Sequence, residues 1–117
     1  MRVLFCGDRE WDDVQMIGEV LQKYNPKEDV IINGYARGAD IIASILGKWM
    51  GFVVEDYPAD WEKYKKAAGP IRNKEMLDTG LDKVNAFHDD LSRSKGTRDM
   101  VKIAGEAGIE IDIYMHK

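Results

Sequence analysis

Apolar positions along the chain follow two alternating rhythms. Short unbroken runs of strand length occupy 2–6 (RVLFC), 30–33, 52–57, about 82–87 (DKVNAF) and 109–114. Between them, apolar residues return every three or four positions, which is the helical period. Val14, Ile17, Val20 and Leu21 predict a first helix over roughly 12–24, ended by Asn25-Pro26. A second, over about 39–50, carries Ile41, Ile42, Ile45, Leu46 and Trp49 on its expected buried side and stops at Gly51. A third is expected over about 71–79, before Gly80, and a fourth over about 96–107, before Gly108. The stretch 58–71 has no clear period, although 61–68 contains no helix breaker. Long connections of this kind inside compact domains are usually functional.

The resulting order, βαβαβαβαβ, predicts an α/β fold. Right-handed crossovers make it a single Rossmann-like three-layer α/β/α sandwich around a mostly parallel five-stranded sheet. With 117 residues, 1–117 is expected to form one domain, and 44% hydrophobic residues suffice for a packed core.

Charge and composition narrow the function. A net charge of −4 supplies no general attraction to nucleic acid or membrane, so a polyanion would need a local basic patch. Cys6, the single cysteine, lies in an apolar run and reads as a buried core thiol. His88 and His116 have no Cys or His neighbours at ligand spacing, so no metal and no cofactor is expected. The chain opens on a strand-like segment, so no signal peptide is expected, and the longest apolar run, 41–46, is too short to cross a bilayer. A cytoplasmic protein is the expectation.

Ligands of open parallel sheets bind beyond the carboxyl ends of the strands. Of six arginines, Arg9, Arg37, Arg72, Arg93 and Arg98 lie in or beside the loops expected there, and only Arg2 lies at the opposite end. Guanidinium groups suit two-pronged capture of phosphate or carboxylate. The alternative is that they pair with Asp8, Asp12, Asp40 and Asp99. The segment Gly34-Tyr35-Ala36-Arg37-Gly38-Ala39-Asp40 joins the second strand to the second helix, where free N–H groups favour a phosphate. It also reads as a tight turn with Asp40 as a first-turn acid. Gly96-Thr97 offers backbone donors and a hydroxyl, or plain helix capping by Ser94 or Thr97. Trp11, Trp61 and Tyr64 are candidates to stack on a base or to pack their loops. Arg72 is placed to meet phosphate and Asn73 a base or sugar. No G-x-G-x-x-G follows the first strand, and neither a Walker motif nor a G-x-S-x-G elbow occurs.

Gly7-Asp8-Arg9-Glu10-Trp11 resembles the G-x-R-x-W opening of the YspA-like group within the SLOG superfamily. The stretches 34–40, 57–61 (YPADW) and 67–73 (AAGPIRN) match the same group in order, and Phe87 followed by Gly96-Thr97 resembles its last motif. The superfamily includes the DprA proteins and the LOG-type phosphoribohydrolases, and many members belong to prokaryotes and their phages. The resemblance implies a Rossmann-like sheet and a nucleotide, nucleotide-sugar or related ligand. LOG-type enzymes carry Pro-Gly-Gly and then Gly-Thr-x-x-Glu. Here His88-Asp89-Asp90-Leu91 follows the fourth strand and Met100 stands at the glutamate position, without a proton to exchange.

The leading expectation is binding, as a sensor or processor, of a nucleotide-derived phosphate ligand. Arg9, Arg37 and Arg72 would hold phosphate. The backbone at Gly7, at Gly34, Ala36, Gly38 and Ala39, and at Gly96 and Thr97 would cradle it. Trp11, Trp61 or Asn73 would meet the base or sugar. An alternative is hydrolysis of an N-glycosidic or phosphate bond, with a carboxylate among Asp8, Asp40 or Asp60. A second alternative is DprA-like binding of single-stranded nucleic acid, which the acidic balance disfavours. Self-association is plausible for a domain of this size.

Overall fold

The computed structural model describes residues 1–116. Its five strands are β1 (Arg2–Gly7), β2 (Val30–Asn33), β3 (Val53–Asp56), β4 (Lys83–Phe87) and β5 (Glu110–Tyr114). All pair in parallel, in the order β3-β2-β1-β4-β5. This is a Rossmann-like α/β arrangement, and its strand order reverses between β1 and β4.

Burial explains the order. Residues 3–6 of β1 and all of β4 are buried, because helices cover both faces of the central strands. Leu4 lies beside Val84 and Gly7 beside Phe87. Side chains alternate between two cores. On one face, Val3, Phe5, Ile31 and Phe87 meet Ile17 and Leu21 of α1 (Val14–Leu21) and Ala39 and Ala43 of α2 (Ala39–Trp49). On the other, Leu4, Cys6, Ile32 and Val84 meet Met76 of α4 (Ala68–Asp78) and Met100 and Ala104 of α5 (Gly96–Glu106). Cys6 is 5% exposed, and burial pushes its thiol far above the usual range. No helix among the described residues is long and apolar enough to cross a membrane.

Three expectations change. First, α2 does not bury its Ile/Trp side. It buries Ala39, Asp40, Ala43, Ser44 and Gly47, while Ile41, Ile42 and Leu46 are half-buried and Ile45 and Trp49 lie exposed. The small face lets the helix axis approach the sheet closely: a methyl group on Gly47 would sit 3.1 Å from Val54 Cγ2. Second, the helical part of the 58–71 connection, allowed by the breaker-free 61–68 stretch, extends through to α4. A single turn, α3 (Trp61–Tyr64), and a 3₁₀ turn over Lys65–Ala67 lead into α4, which begins at Ala68. Pro70 is its third residue, within the first turn, where a missing N–H costs no helical hydrogen bond. Third, α1 is shorter than the apolar period suggests, since Asp13 caps it by accepting from Met16 N.

Candidate functional site

The loops after β1, β2 and β3, together with the start of α4, enclose an open cleft of about 320 Å³. Its walls are Arg9, Gly34, Tyr35, Ala36, Arg37, Pro58, Ala59, Trp61 and Arg72. Three of these residues carry a guanidinium and none carries a carboxylate.

Arg72 forms the floor. It projects from α4, is 9% exposed, and its Nη1 donates to the Gly34 carbonyl at 2.5 Å. Nε donates to Asn73 Oδ1 at 3.0 Å. Nη2 has no hydrogen-bond partner among the described residues. Burial lowers the Arg72 pKa and Asp40 raises it again, while Arg9 adds like-charge repulsion. Gly34 is constrained by this approach, because a Cβ there would lie 2.6 Å from Arg72 Nη1 and 2.9 Å from Asp40 Oδ2.

Asp40 fills the inside of the turn before α2. Its carboxylate accepts from Gly34 N at 3.0 Å and is also held by the N–H groups of Ala36 and Gly7. Burial pushes its pKa from 3.8 up to about 6, against the pull of Arg72 and of those three donors. Of the backbone donors expected to cradle a phosphate, those of Gly7, Gly34 and Ala36 therefore face a side chain of the protein. Anion capacity in the cleft resides in the arginine side chains.

Arg9 is exposed, with Cζ 5.9 Å from the Trp61 ring centroid. Arg37 lies on the rim, where Nη2 bonds Glu10 Oε1 at 2.5 Å. Both partners are more than two-thirds exposed, so this ion pair is weak and open to exchange. Tyr35 adopts φ 54°, the left-handed region, held by its N–H donating to Asn33 Oδ1 at 2.8 Å. Strain of this kind in a non-glycine residue concentrates at functional sites. Asn33 in turn bonds Asp56 Oδ1 at 2.7 Å, as does the Ser44 hydroxyl, while Lys48 pairs with Asp56 Oδ2. This network fixes the end of β2, on which the cleft loop is mounted.

Other expected residues lie elsewhere. Trp11 is 5% exposed, donates to the Asp13 carbonyl and stacks on His116 at 4.5 Å. Gly7 sits against Phe87 and Ala39, where a Cβ would overlap both. Gly38, at φ 86°, allows the chain to pass the Asp8 carbonyl, and Ala39 N donates to that carbonyl. Gly96 and Thr97 open α5 outside the cleft walls. Thr97 N is capped by Ser94 Oγ at 3.1 Å, and Asn73 Nδ2 bonds the Gly96 carbonyl and Asp99. Arg93, on the connection before α5, and Arg98, in the first turn of α5, are exposed.

The sequence motifs do not single out the Tyr35 side chain, Pro58 or Ala59 as cleft residues, although all three lie inside them. Nor do they mark His88 as a site residue, which is 8% exposed at the β1/β4 crevice. Its Nδ1 accepts from Asp90 N, which leaves the proton on Nε2, 3.8 Å from Asp8 Oδ2. Of the three proposed acids, Asp8 faces His88, Asp40 is buried behind Gly34, and Asp60 caps α3 by accepting from Lys63 N.

A family model described as YspA, cpYpsA-related SLOG family matches residues 1–64, the span from β1 to the end of α3. The Gene 61 protein of Mycobacterium phage D29 is 41% identical over 118 residues, covering 94% of this chain and 93% of that protein. No solved structure matches.

Proposed function

The chain belongs to the YspA, cpYpsA-related SLOG family, and we propose that it binds a nucleotide-derived phosphate ligand in the cleft walled by Arg9, Arg37 and Arg72. Membership suggests binding or processing of a nucleotide-related ligand. The observation that carries the location is the lining itself: three arginines and two aromatic rings, without a carboxylate.

The physical argument starts at Arg72. A buried guanidinium next to a second cation, Arg9, is repelled by it, and the carboxyl that opposes it, Asp40, is half-neutralised near pH 6. A phosphate between Arg9 and Arg72 relieves this repulsion and supplies acceptors to Nη2. Hydrogen bonds to charged groups contribute about 1.5–3 kcal/mol each. Arg37 joins by exchanging Glu10 for the ligand. Trp61 and Tyr35 offer faces for a base, and about 320 Å³ is the scale of a small ligand rather than a polymer track. Hydrolysis draws no support from the geometry, because Asp8, Asp40 and Asp60 are all outside the cleft walls.

Titration calorimetry across nucleoside mono- and diphosphates and nucleotide sugars tests the reading. At least one phosphorylated compound binds, its unphosphorylated nucleoside binds at least about tenfold more weakly, and Arg37→Ala weakens binding at least about tenfold. Absence of both heat and thermal shift across the panel refutes it.

A further inference from the structure

We infer that residues 58–66 form a hinged lid that closes over the cleft when a ligand occupies it, with Lys65 as the pivot and Trp61 as the face brought onto the ligand. Its role as a lid rests on the cleft being the ligand site proposed above.

The segment is stiff in itself and loosely attached. Lys63 N donates to Asp60 Oδ1 at 3.1 Å, Tyr64 N to the Asp60 carbonyl at 3.0 Å and Lys65 N to the Trp61 carbonyl, which closes one compact turn. Among the described residues, no side chain of 58–66 makes a hydrogen bond or ion pair with the body of the domain. No residue from 58 to 67 is buried. Trp61, 49% exposed, rests its ring edge near Gly69, where a Cβ would lie 3.5 Å from Cη2. Segments with so few buried contacts open at low free-energy cost.

The pivot is strained. Lys65 has φ 52° and ψ −129°, the conformation of the first central position in a type II′ turn, which glycine ordinarily fills. Strain of this size biases an equilibrium on the order of tenfold. Rotation of Lys65 to negative φ releases it and swings the turn as a unit, while the ring of Pro58 stiffens the other end. Ala59 and Trp61 already stand in the cleft wall, so a short swing covers the site. The turn carries Lys63, Lys65 and Lys66, all exposed, against Asp60 and Glu62. An anion held by Arg9 and Arg72 therefore attracts it, and the Trp61 ring exchanges its perch on Gly69 and Arg9 for the ligand. That preference of the ligand for the closed form is what closure requires.

Two substitutions of the exposed Lys65 separate backbone strain from charge. Lys65→Gly keeps the observed conformation without strain, and Lys65→Ala keeps the strain without the charge. NMR relaxation dispersion on the free protein detects exchange at the 61–66 amides in wild type and in Lys65→Ala, and Lys65→Gly quenches it. Calorimetry with adenosine diphosphate and with inorganic pyrophosphate gives binding about tenfold weaker in Lys65→Gly and within about twofold of wild type in Lys65→Ala. Flat dispersion across 61–66 in wild type overturns the hinge whether or not a probe binds. Equal binding by wild type and Lys65→Gly overturns the lid. So does a loss in Lys65→Ala as large as in Lys65→Gly, which assigns the effect to charge. If neither probe binds, the ligand reading fails for them while the dispersion still decides the hinge.

Discussion

Replacing Arg72 with methionine keeps an unbranched apolar stem and removes the cation beneath Gly34. The wild-type balance can be worked from Asp40. Its pKa stands at about 6 in the folded protein, against an ordinary 3.8. A raised folded value means that the carboxyl's contribution to stability is fully present below about 4 and is lost as pH rises through 6. The difference amounts to about 3 kcal/mol. In Arg72→Met the opposing charge is gone, so the carboxyl titrates at higher pH still, and the loss extends beyond 6. Breaking a buried pair by removing one partner costs about 3–5 kcal/mol, unless the orphaned group can take a proton. At pH 5 it can, and the variant should be destabilised by about 2 kcal/mol, mainly for the lost bond to the Gly34 carbonyl. At pH 8 it cannot without cost, and the deficit should reach about 4 kcal/mol. Urea unfolding of both proteins at the two pH values measures this. Equal deficits at pH 5 and pH 8 would refute the coupling between Arg72 and Asp40.

Gly34→Ala should displace the Arg72 guanidinium, cost about 2 kcal/mol of stability and weaken ligand binding at least about tenfold. Gly51→Ala, at φ 91° with nothing within 4 Å of a Cβ, should cost about 1 kcal/mol in urea unfolding and leave binding intact. Trp61→Ala removes a half-exposed ring, so stability should hold in a thermal melt while calorimetry shows base-bearing ligands bound several-fold more weakly. His116 bonds Asp13 and Asp89, and both raise its pKa above 6.5. The clasp is therefore present at low pH and is lost as pH rises through the raised value. An NMR titration of the ring should place its midpoint above 6.5, and Asp13→Asn should lower it.

Much of the fold was readable because parallel strands buried on both faces leave uninterrupted apolar runs. The bounds of β2 came directly from such a run. The buried face of α2 was not readable. Apolar residues occupy most of its circumference, and the choice fell to Ala39, Ala43 and Gly47, whose small size matters only once a sheet lies 3 to 4 Å away. The clustering of Arg9, Arg37 and Arg72 could be seen from their positions after strands. The reversal of strand order between β1 and β4 could not be read with it. That reversal carries the Gly96-Thr97 loop away from the cleft, to where Asn73 and Ser94 already satisfy it. Nor does a linear motif reveal which acceptor a loop's N–H groups meet. Asp40 was read as an optional helix-dipole acid, yet its carboxylate occupies the turn that was expected to receive phosphate.

Amide chemical-shift mapping of the chain, titrated with whichever phosphorylated nucleotide gives the largest heat, tests the central claim most directly. The account predicts that the largest changes fall on Gly34, Tyr35, Ala36 and Arg37, on Arg9 and on Ala59 to Trp61, with smaller ones at Gly96 and Thr97. Changes centred on Gly96, Thr97 and the β4–α5 connection, with the 34–37 amides unmoved, would contradict it.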